Sequence, residues 1–445
     1  MKRLAILVCT ALLLAGGVCN GDEWPQWRGP GRDGLWRETG IIGKFTGEQI
    51  PVKWRAPISN GYSGPTVADG RVYVTDRVRK PEQIERVLCF DAMTGKSIWV
   101  YTYPAEYRRV GHPDGPRACV TIDEGRAYSL GTMGHLFCLD AEKGTIVWTK
   151  DIKAEYDLRI PRWGISAAPV VEKDLVIVHV GGSDNACVIA FDKKSGEERW
   201  RALEDEASYS SPIVIDQAGK RVVIVWTAER IVGLDAATGE LYWAKPAKAK
   251  MGQAVATPVV QDDLLFISGF FDGSLLLKLD KDKPAVTEVW RRGGESESDT
   301  DALHCCISTP ILDAGNIYGV CSYGQLRCLE TGTGNRVWES IEAGPNERWA
   351  TIHLVRHEDE VWMFNELGEL SISKLSPKGY KQISRAKLIK PTEGQLDRKG
   401  GVCWSHPAFA YKHVYIRNDE ELICADLTLN NKPLADENAK QSESN

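Results

Sequence analysis

Past residue 14, no stretch of the 445-residue sequence is apolar enough to form a membrane helix, which argues against a polytopic membrane protein. There is no surplus of positive charge either. Lys and Arg number 55 against 61 Asp and Glu, and the net charge of -6 gives no global attraction to nucleic acid or anionic lipid. Histidine is sparse, and His112, His179, His353, His357 and His413 lack the Cys/His spacing of a zinc site. No Gly-x-Ser-x-Gly elbow and no phosphate-cradling Gly-rich loop with Lys occurs, so hydrolase and nucleotide chemistry find no support.

The N-terminal segment is read as a secretory signal: Lys2 and Arg3, an apolar run from Leu4 to Leu14, then Ala15, Gly16 and Gly17. Cleavage near Cys19-Asn20-Gly21 predicts an extracytoplasmic chain, periplasmic or secreted. Cys19 is a candidate lipid anchor, although Val18 stands where lipoprotein signals place a small residue. Ten further cysteines follow, in a compartment that permits disulfides. Yet Cys89, Cys138, Cys328 and Cys424 each fall two residues before an acidic residue, in LCFD, FCLD, RCLE and ICAD. Equivalent strand positions predict small buried side chains rather than bonded pairs.

What the sequence does contain in abundance is glycine and tryptophan, 42 and 15 residues, and both are periodic. One unit recurs: a Ser/Thr/Gly-Pro start, a short strand, an Asp or Gly turn, a second strand, a third ending in Asp, then Thr/Ser-Gly and Trp. GPTVADGRVYV…LCFDAMTGKSIW is a clear copy, as are the units ending at Trp200 and Trp243; those ending at Trp148, Trp290 and Trp338 are weaker. The Trp residues recur at roughly forty to fifty residues, the propeller range. Short alternating runs rich in Val, Ile and Tyr predict four antiparallel strands per unit, and Gly or Pro breaks any helical period. A seventh unit, about 350 to 388, has Ile383 where Trp is expected. An eighth begins at Cys403 and lacks one strand, which Val52 to Ile58 supplies, with Trp54 in phase 45 residues before Trp99. The expected fold is therefore all-β: an eight-bladed propeller of four-stranded antiparallel blades, closed by pairing of the N-terminal strand with the last blade.

The segment Asp-x-x-Thr/Ser-Gly-x-x-x-Trp, at Asp91 to Trp99, Asp192 to Trp200 and Asp235 to Trp243, resembles the tryptophan-docking motif of pyrroloquinoline quinone (PQQ) dehydrogenase propellers. The repeats also resemble those of BamB-type outer-membrane assembly lipoproteins. The resemblance covers residues 51 to 427 and implies that each Trp packs against a neighbouring Gly turn at Gly95, Gly144, Gly196, Gly239 or Gly334. Those residues are architecture and carry no catalytic meaning. Residues 1–21 are thus assigned to the signal, 22–50 to a lead-in and 51–427 to the propeller. The polar stretch 428–445 is read as a disordered tail. In the lead-in, Trp24-Pro25-Gln26-Trp27-Arg28-Gly29-Pro30-Gly31-Arg32-Asp33-Gly34 looks like the opening of a group of secreted PQQ-repeat-like proteins, and reads as a packed peptide of docked aromatics and turns.

Ligands of propellers meet the loops that open the inner strands. Tyr62, Arg117, Trp163, Tyr209, Gln253, His304, Trp349, Trp404 and His406 are candidates to stack a flat ligand or grip a peptide, against channel filling with water-linked polar groups. Cys305-Cys306 is the most pointed feature: PQQ alcohol dehydrogenases carry an adjacent-cysteine disulfide above their quinone. The calcium-ligand and catalytic carboxylate motifs of those enzymes have no match in this sequence. Glu295, Glu297, Asp299 and Asp301 alternate as hard-cation ligands do, without the glycine-bounded spacing of a calcium loop. No catalytic residue is assigned. The expected function is a non-catalytic binding or scaffold protein holding a protein or polymer partner at one propeller face, with no nucleic acid. The alternative is a PQQ- and calcium-dependent quinoprotein oxidoreductase of the alcohol or sugar dehydrogenase type.

Overall fold

The computed structural model describes residues 22–313 and 315–429; the signal, the Cys19 anchor position and nearly all of the expected tail lie outside the described residues. Strands pair into eight four-stranded antiparallel sheets. Blade 1 comprises Thr66–Ala68, Arg71–Val78, Ile84–Asp91 and Ser97–Pro104, the innermost first. Six more follow in the same order, and neighbouring inner strands touch around the axis. The eighth sheet is Ala408–Ala410, His413–Arg417 and Glu421–Asp426 with Val52–Pro57 added outside the last, pairing Trp54 with Cys424. The ring is therefore closed by the chain's own beginning, as expected, and residues 352–387 form a regular seventh blade. No helix among the described residues is long and apolar enough to cross a membrane.

Seven of the eight seams carry an indole. Trp54 Nε1 donates to Ala92 O at 3.0 Å, Trp99 to Ala141 O at 3.1 Å, Trp148 to Lys193 O at 3.1 Å and Trp200 to Ala236 O at 3.2 Å, always in the next blade. Trp290 and Trp338 reach Thr331 O and Ser376 O in the same way. The ring lies flat on the turn it donates to, which leaves no room for a side chain there. A β-carbon at Gly144, where φ is +70°, would sit 2.5 Å from Trp99.

Three seams depart from this pattern; at one, Trp338 reaches Ser376 O, but the glycine of that turn, Gly379, does not meet the indole. Between blades 4 and 5 the turn has no such glycine, and Gln217 bridges the gap. It accepts from Trp243 Nε1 at 3.1 Å and donates to Ala285 O at 2.6 Å. In blade 7 the strand register places Ser384, not Ile383, at the Trp position, opposite Ile372. Here the lead-in takes over: Phe45 N donates to Ser384 Oγ at 3.0 Å and its ring packs edge-on to Trp362 at 5.8 Å.

The same register explains four cysteines. Cys89, Cys138, Cys328 and Cys424 each pair with a Tyr on one side and a Trp on the other: Tyr73 and Trp99, Tyr128 and Trp148, Tyr318 and Trp338, Tyr415 and Trp54. The two rings lie 5.9 to 6.1 Å apart across each thiol. Ala190 and Gly233 hold that position in blades 3 and 4. In blade 5 Leu276 takes the place between Phe266 and Trp290, and all ten described cysteines are free and buried.

The lead-in runs across the face where the inner strands turn and enters the channel as a plug. Trp24 and Val67 exchange both backbone hydrogen bonds at 2.8 Å, and Ile122 N donates to Pro25 O at 2.8 Å. Trp27 Nε1 reaches Thr257 Oγ1 of blade 5 at 2.7 Å, and Trp36 N reaches Arg356 O of blade 7 at 2.8 Å. Trp24 and Trp36 are buried against Phe409, with Trp36 also edge-on to Trp362 at 5.2 Å.

Replacing a buried aromatic by Ala costs about 3 to 5 kcal/mol, so Trp148→Ala should lower the denaturation midpoint by that amount. Gly196→Ala puts a β-carbon 2.7 Å from the same indole. The double variant should therefore be less destabilised than the sum of the singles, by about 0.5 to 3 kcal/mol. Additive losses in a double-mutant cycle would show that ring and turn are not coupled.

Candidate functional site

At the opposite face, the loops entering the inner strands surround a funnel of about 490 Å³. Every blade contributes, and the floor is Trp27 on the tip of the plug. Tyr62, Arg117, Trp163, Tyr209, Gln253, Cys306, Trp349, Trp404 and His406 all line it. Two of the sequence candidates do not. His304 is buried behind the wall, its ring nitrogens bonded to Phe270 O at 3.0 Å and Thr300 Oγ1 at 3.1 Å. Cys305 alternates inward into the blade-packing core, because adjacent residues in extended chain point to opposite sides.

The lining is aromatic and cationic. Arg117 lies over the Tyr62 ring at 4.7 Å, Arg162 over Trp163 at 5.3 Å and Arg348 over Trp349 at 5.0 Å. Trp163 is edge-on to Tyr209 at 5.4 Å, and Trp27 to His406 at 4.5 Å. No Asp, Glu or Lys appears in the wall. A carboxylate one layer back, Glu366, accepts from Trp404 Nε1 at 2.9 Å and Thr351 N at 3.1 Å and pairs with Arg398; burial raises its pKa, against those donors. It fixes Trp404 rather than facing the funnel.

Several lining residues hold conformations that L side chains rarely adopt: Trp349 at φ +67°, Met251 at +61° and His112 at +49°. Such backbone persists where surrounding structure enforces it, and clusters at ligand sites. Burial, then the Arg117 charge, lowers the His112 pKa, so its imidazole is neutral at pH 7. Deeper still, burial depresses His353 to about 4 and His406 to about 3. Burial also pushes the Cys306 thiol up to about 12 and Cys305 higher, so neither is a thiolate, and the pair is not disulfide-bonded.

The acidic loop does not form a cation site. Glu297 pairs with Arg348 at 2.8 Å and Asp301 with Arg336 at 2.7 Å, while the backbone of Asp299 accepts from Glu295 N. Among the described residues no three His, Cys, Asp or Glu side chains are grouped to hold a metal ion. Sequence reasoning missed Trp27, His112, Arg162, Arg348 and His353. Trp27 lies far from any inner-strand start, and the arginines sit one residue before an aromatic that drew attention instead.

A family model described as outer membrane protein assembly factor BamB matches residues 86–340. The dehydrogenase subunit of a quinone alcohol dehydrogenase from Gluconacetobacter polyoxogenes is 32% identical over 202 residues, 41% of this chain and 26% of that protein. The matched stretch thus spans about a quarter of that curated relative. Among solved structures, BamB from Moraxella catarrhalis superposes with a TM-score of 0.57 at 18% identity, covering 86% of this chain and 99% of that one. Quinohemoprotein alcohol dehydrogenase from Comamonas testosteroni gives 0.63 at 14% identity, covering 92% and 81%. These structural likenesses show the fold. The curated relatives, named as quinoprotein and quinohemoprotein alcohol dehydrogenases, overturn the expectation of a non-catalytic scaffold holding a protein or polymer. The physical reason for the miss is that the repeat signal comes from blade seams, which are the same in binding and catalytic propellers.

Burial also lowers His179 to about 4. Unfolded, these imidazoles titrate near 6.5. Between pH 6.5 and about 4 the unfolded chain takes up protons that the fold refuses. The stability contributed by His179, His353 and His406 is complete above pH 6.5 and is lost as pH falls, by at most about 1.4 kcal/mol per pH unit for each. Urea midpoints at pH 7 and 5 should differ accordingly, and His353→Gln/His406→Gln should narrow the difference. An unchanged pH dependence in that variant would contradict the burial of neutral rings.

Proposed function

Given that the chain belongs to the propeller family described as outer membrane protein assembly factor BamB, and that its funnel is walled by aromatics and arginines, we propose that it is an extracytoplasmic quinoprotein-type oxidoreductase that binds PQQ and oxidises an alcohol. The observation that carries this reading is the donor set: three guanidiniums, each over an aromatic ring, and no carboxylate in the lining. PQQ is a flat tricyclic tricarboxylate. Its plane suits aromatic faces, and guanidinium is the side chain best matched to carboxylate. The cavity size falls in the small-molecule range and is too confined for a folded partner.

The quinone fits these residues; a calcium ion does not, for want of grouped oxygen ligands among the described residues. Bound PQQ would supply a two-electron acceptor. Arg117, Arg162 and Arg348 would hold its carboxylates, and Trp163, Trp349 and Trp404 its faces. Tyr62 keeps its proton because burial raises its pKa, and it already donates to Gln395 O at 3.0 Å, which braces the Arg117 platform. His112, half-buried, neutral and beside Trp404 at 5.9 Å, is the lining group suited to accept the hydroxyl proton of an alcohol. The closed floor excludes bulk water from the far side of the channel.

Titrating PQQ into the purified protein should quench tryptophan fluorescence at one equivalent, with dye-linked oxidation of simple alcohols. Arg117→Ala and Trp163→Ala should each weaken binding by about 30-fold. His112→Gln should retain binding within about twofold and lower kcat by at least about 100-fold. Lack of binding by the wild-type protein would overturn the assignment, and full turnover in the His112 variant would remove its role as base.

A further inference from the structure

The plug that floors the funnel also carries charge. Arg28 and Arg32 are 9% and 6% exposed. Among the described residues, every hydrogen bond of both guanidiniums ends on a carbonyl oxygen. Arg28 donates to Arg32 O at 3.3 Å and Asp33 O at 2.8 Å. Arg32 donates to Gln26 Oε1 at 2.8 Å, to Pro212 O at 3.1 Å and to Pro169 O, the last two at the entrances of blades 4 and 3. The one carboxylate in the turn, Asp33, is ion-paired with the exposed Arg37 at 2.5 Å instead.

A peptide that only sealed the ring would be served by more residues like Trp24 and Trp36. The two buried cations are held by carbonyl oxygens, and the Asp33 carboxylate, already paired with Arg37, acts on Arg28 without a hydrogen bond, so the plug keeps net positive charge beneath the funnel. A small cavity lined by Arg28 shares Trp27, His353 and His406 with the funnel above. Burial lowers both guanidiniums to about 10, so both remain charged at neutral pH, and the Arg28 charge contributes to depressing His353.

We infer that the N-terminal plug is part of the binding site, and that its buried Arg28 and Arg32 supply the fixed positive charge that retains a planar polycarboxylate in the funnel without a divalent cation. The inference rests on the quinone reading above. It assigns to two lead-in residues a positioning role, Arg28 acting across the small cavity it shares with Trp27, His353 and His406, and Arg32 from beside the funnel-lining Cys119 and the entrances of blades 3 and 4. In a partly desolvated channel two charges one layer beneath a ligand act more strongly than the same charges at the rim, where water and Glu297 screen Arg348.

The test uses the whole protein and two probes, PQQ and its neutral trimethyl ester, each titrated by tryptophan quenching with excess EDTA and again with calcium. PQQ should bind equally in both conditions and at least about tenfold more tightly than the ester. Arg28→Met and Arg32→Met should each reduce PQQ affinity about tenfold and leave ester affinity within about twofold. The ester comparison on the wild-type protein stands even where a variant fails to fold. Folded variants with unchanged PQQ affinity would overturn this inference alone, whereas PQQ binding that requires calcium, or equal wild-type affinity for PQQ and ester, would overturn it together with the guanidinium–carboxylate contacts proposed above. No binding of either probe to folded wild-type protein would overturn the quinone reading and this inference with it.

Discussion

Indole rings laid on the turns of neighbouring blades hold this molecule in its shape. The contact has two halves that constrain each other: an N–H that must find an acceptor once buried, and a turn that must present a bare carbonyl and no β-carbon. The register then follows. In four blades a Tyr two strands inward faces the Trp across a Cys on the strand between. Where the motif fails, Gln217 relays the hydrogen bond at one seam, and at another Phe45 of the lead-in packs on blade 7 in place of an indole.

Closing the ring fixes what a ligand can meet. Eight inner strands leave an axial channel whose one end is stopped by the plug and whose other end is bordered by the entry loops. Those loops present aromatic and guanidinium groups, some on strained backbone, and the plug adds charge from beneath. A chain that is net negative overall thus concentrates positive charge at one point, which is a local device that total charge conceals.

The fold was legible because its constraint repeats: Gly144 and Trp99 announce a blade wherever their like recurs. The closing strand was legible for the same reason, since Trp54 stays in phase. The site was only half legible. Tyr62, Trp163 and Trp404 stand at repeat-equivalent positions, whereas His304 and Cys305 shared those positions and turned into the blade core, because the direction of a loop residue depends on packing rather than on order. Trp27, Arg28 and Arg32 were read as a packed lead-in, and they are packed. That they reach the axis depends on contacts with blades 3, 4 and 5, some 140 to 230 residues away, which no local pattern encodes. The Cys305-Cys306 pair, prominent in sequence, sits with one thiol in the wall and one in the core.

The central claim is that the plugged, arginine-rich funnel is a quinone site. A crystal structure of the protein grown with PQQ in the presence of a chelator addresses it most directly. A planar ligand is expected inside the funnel above Trp27, its carboxylates met by guanidiniums and no metal at its edge. An empty funnel, or a quinone bound elsewhere or through a coordinated cation, would contradict it.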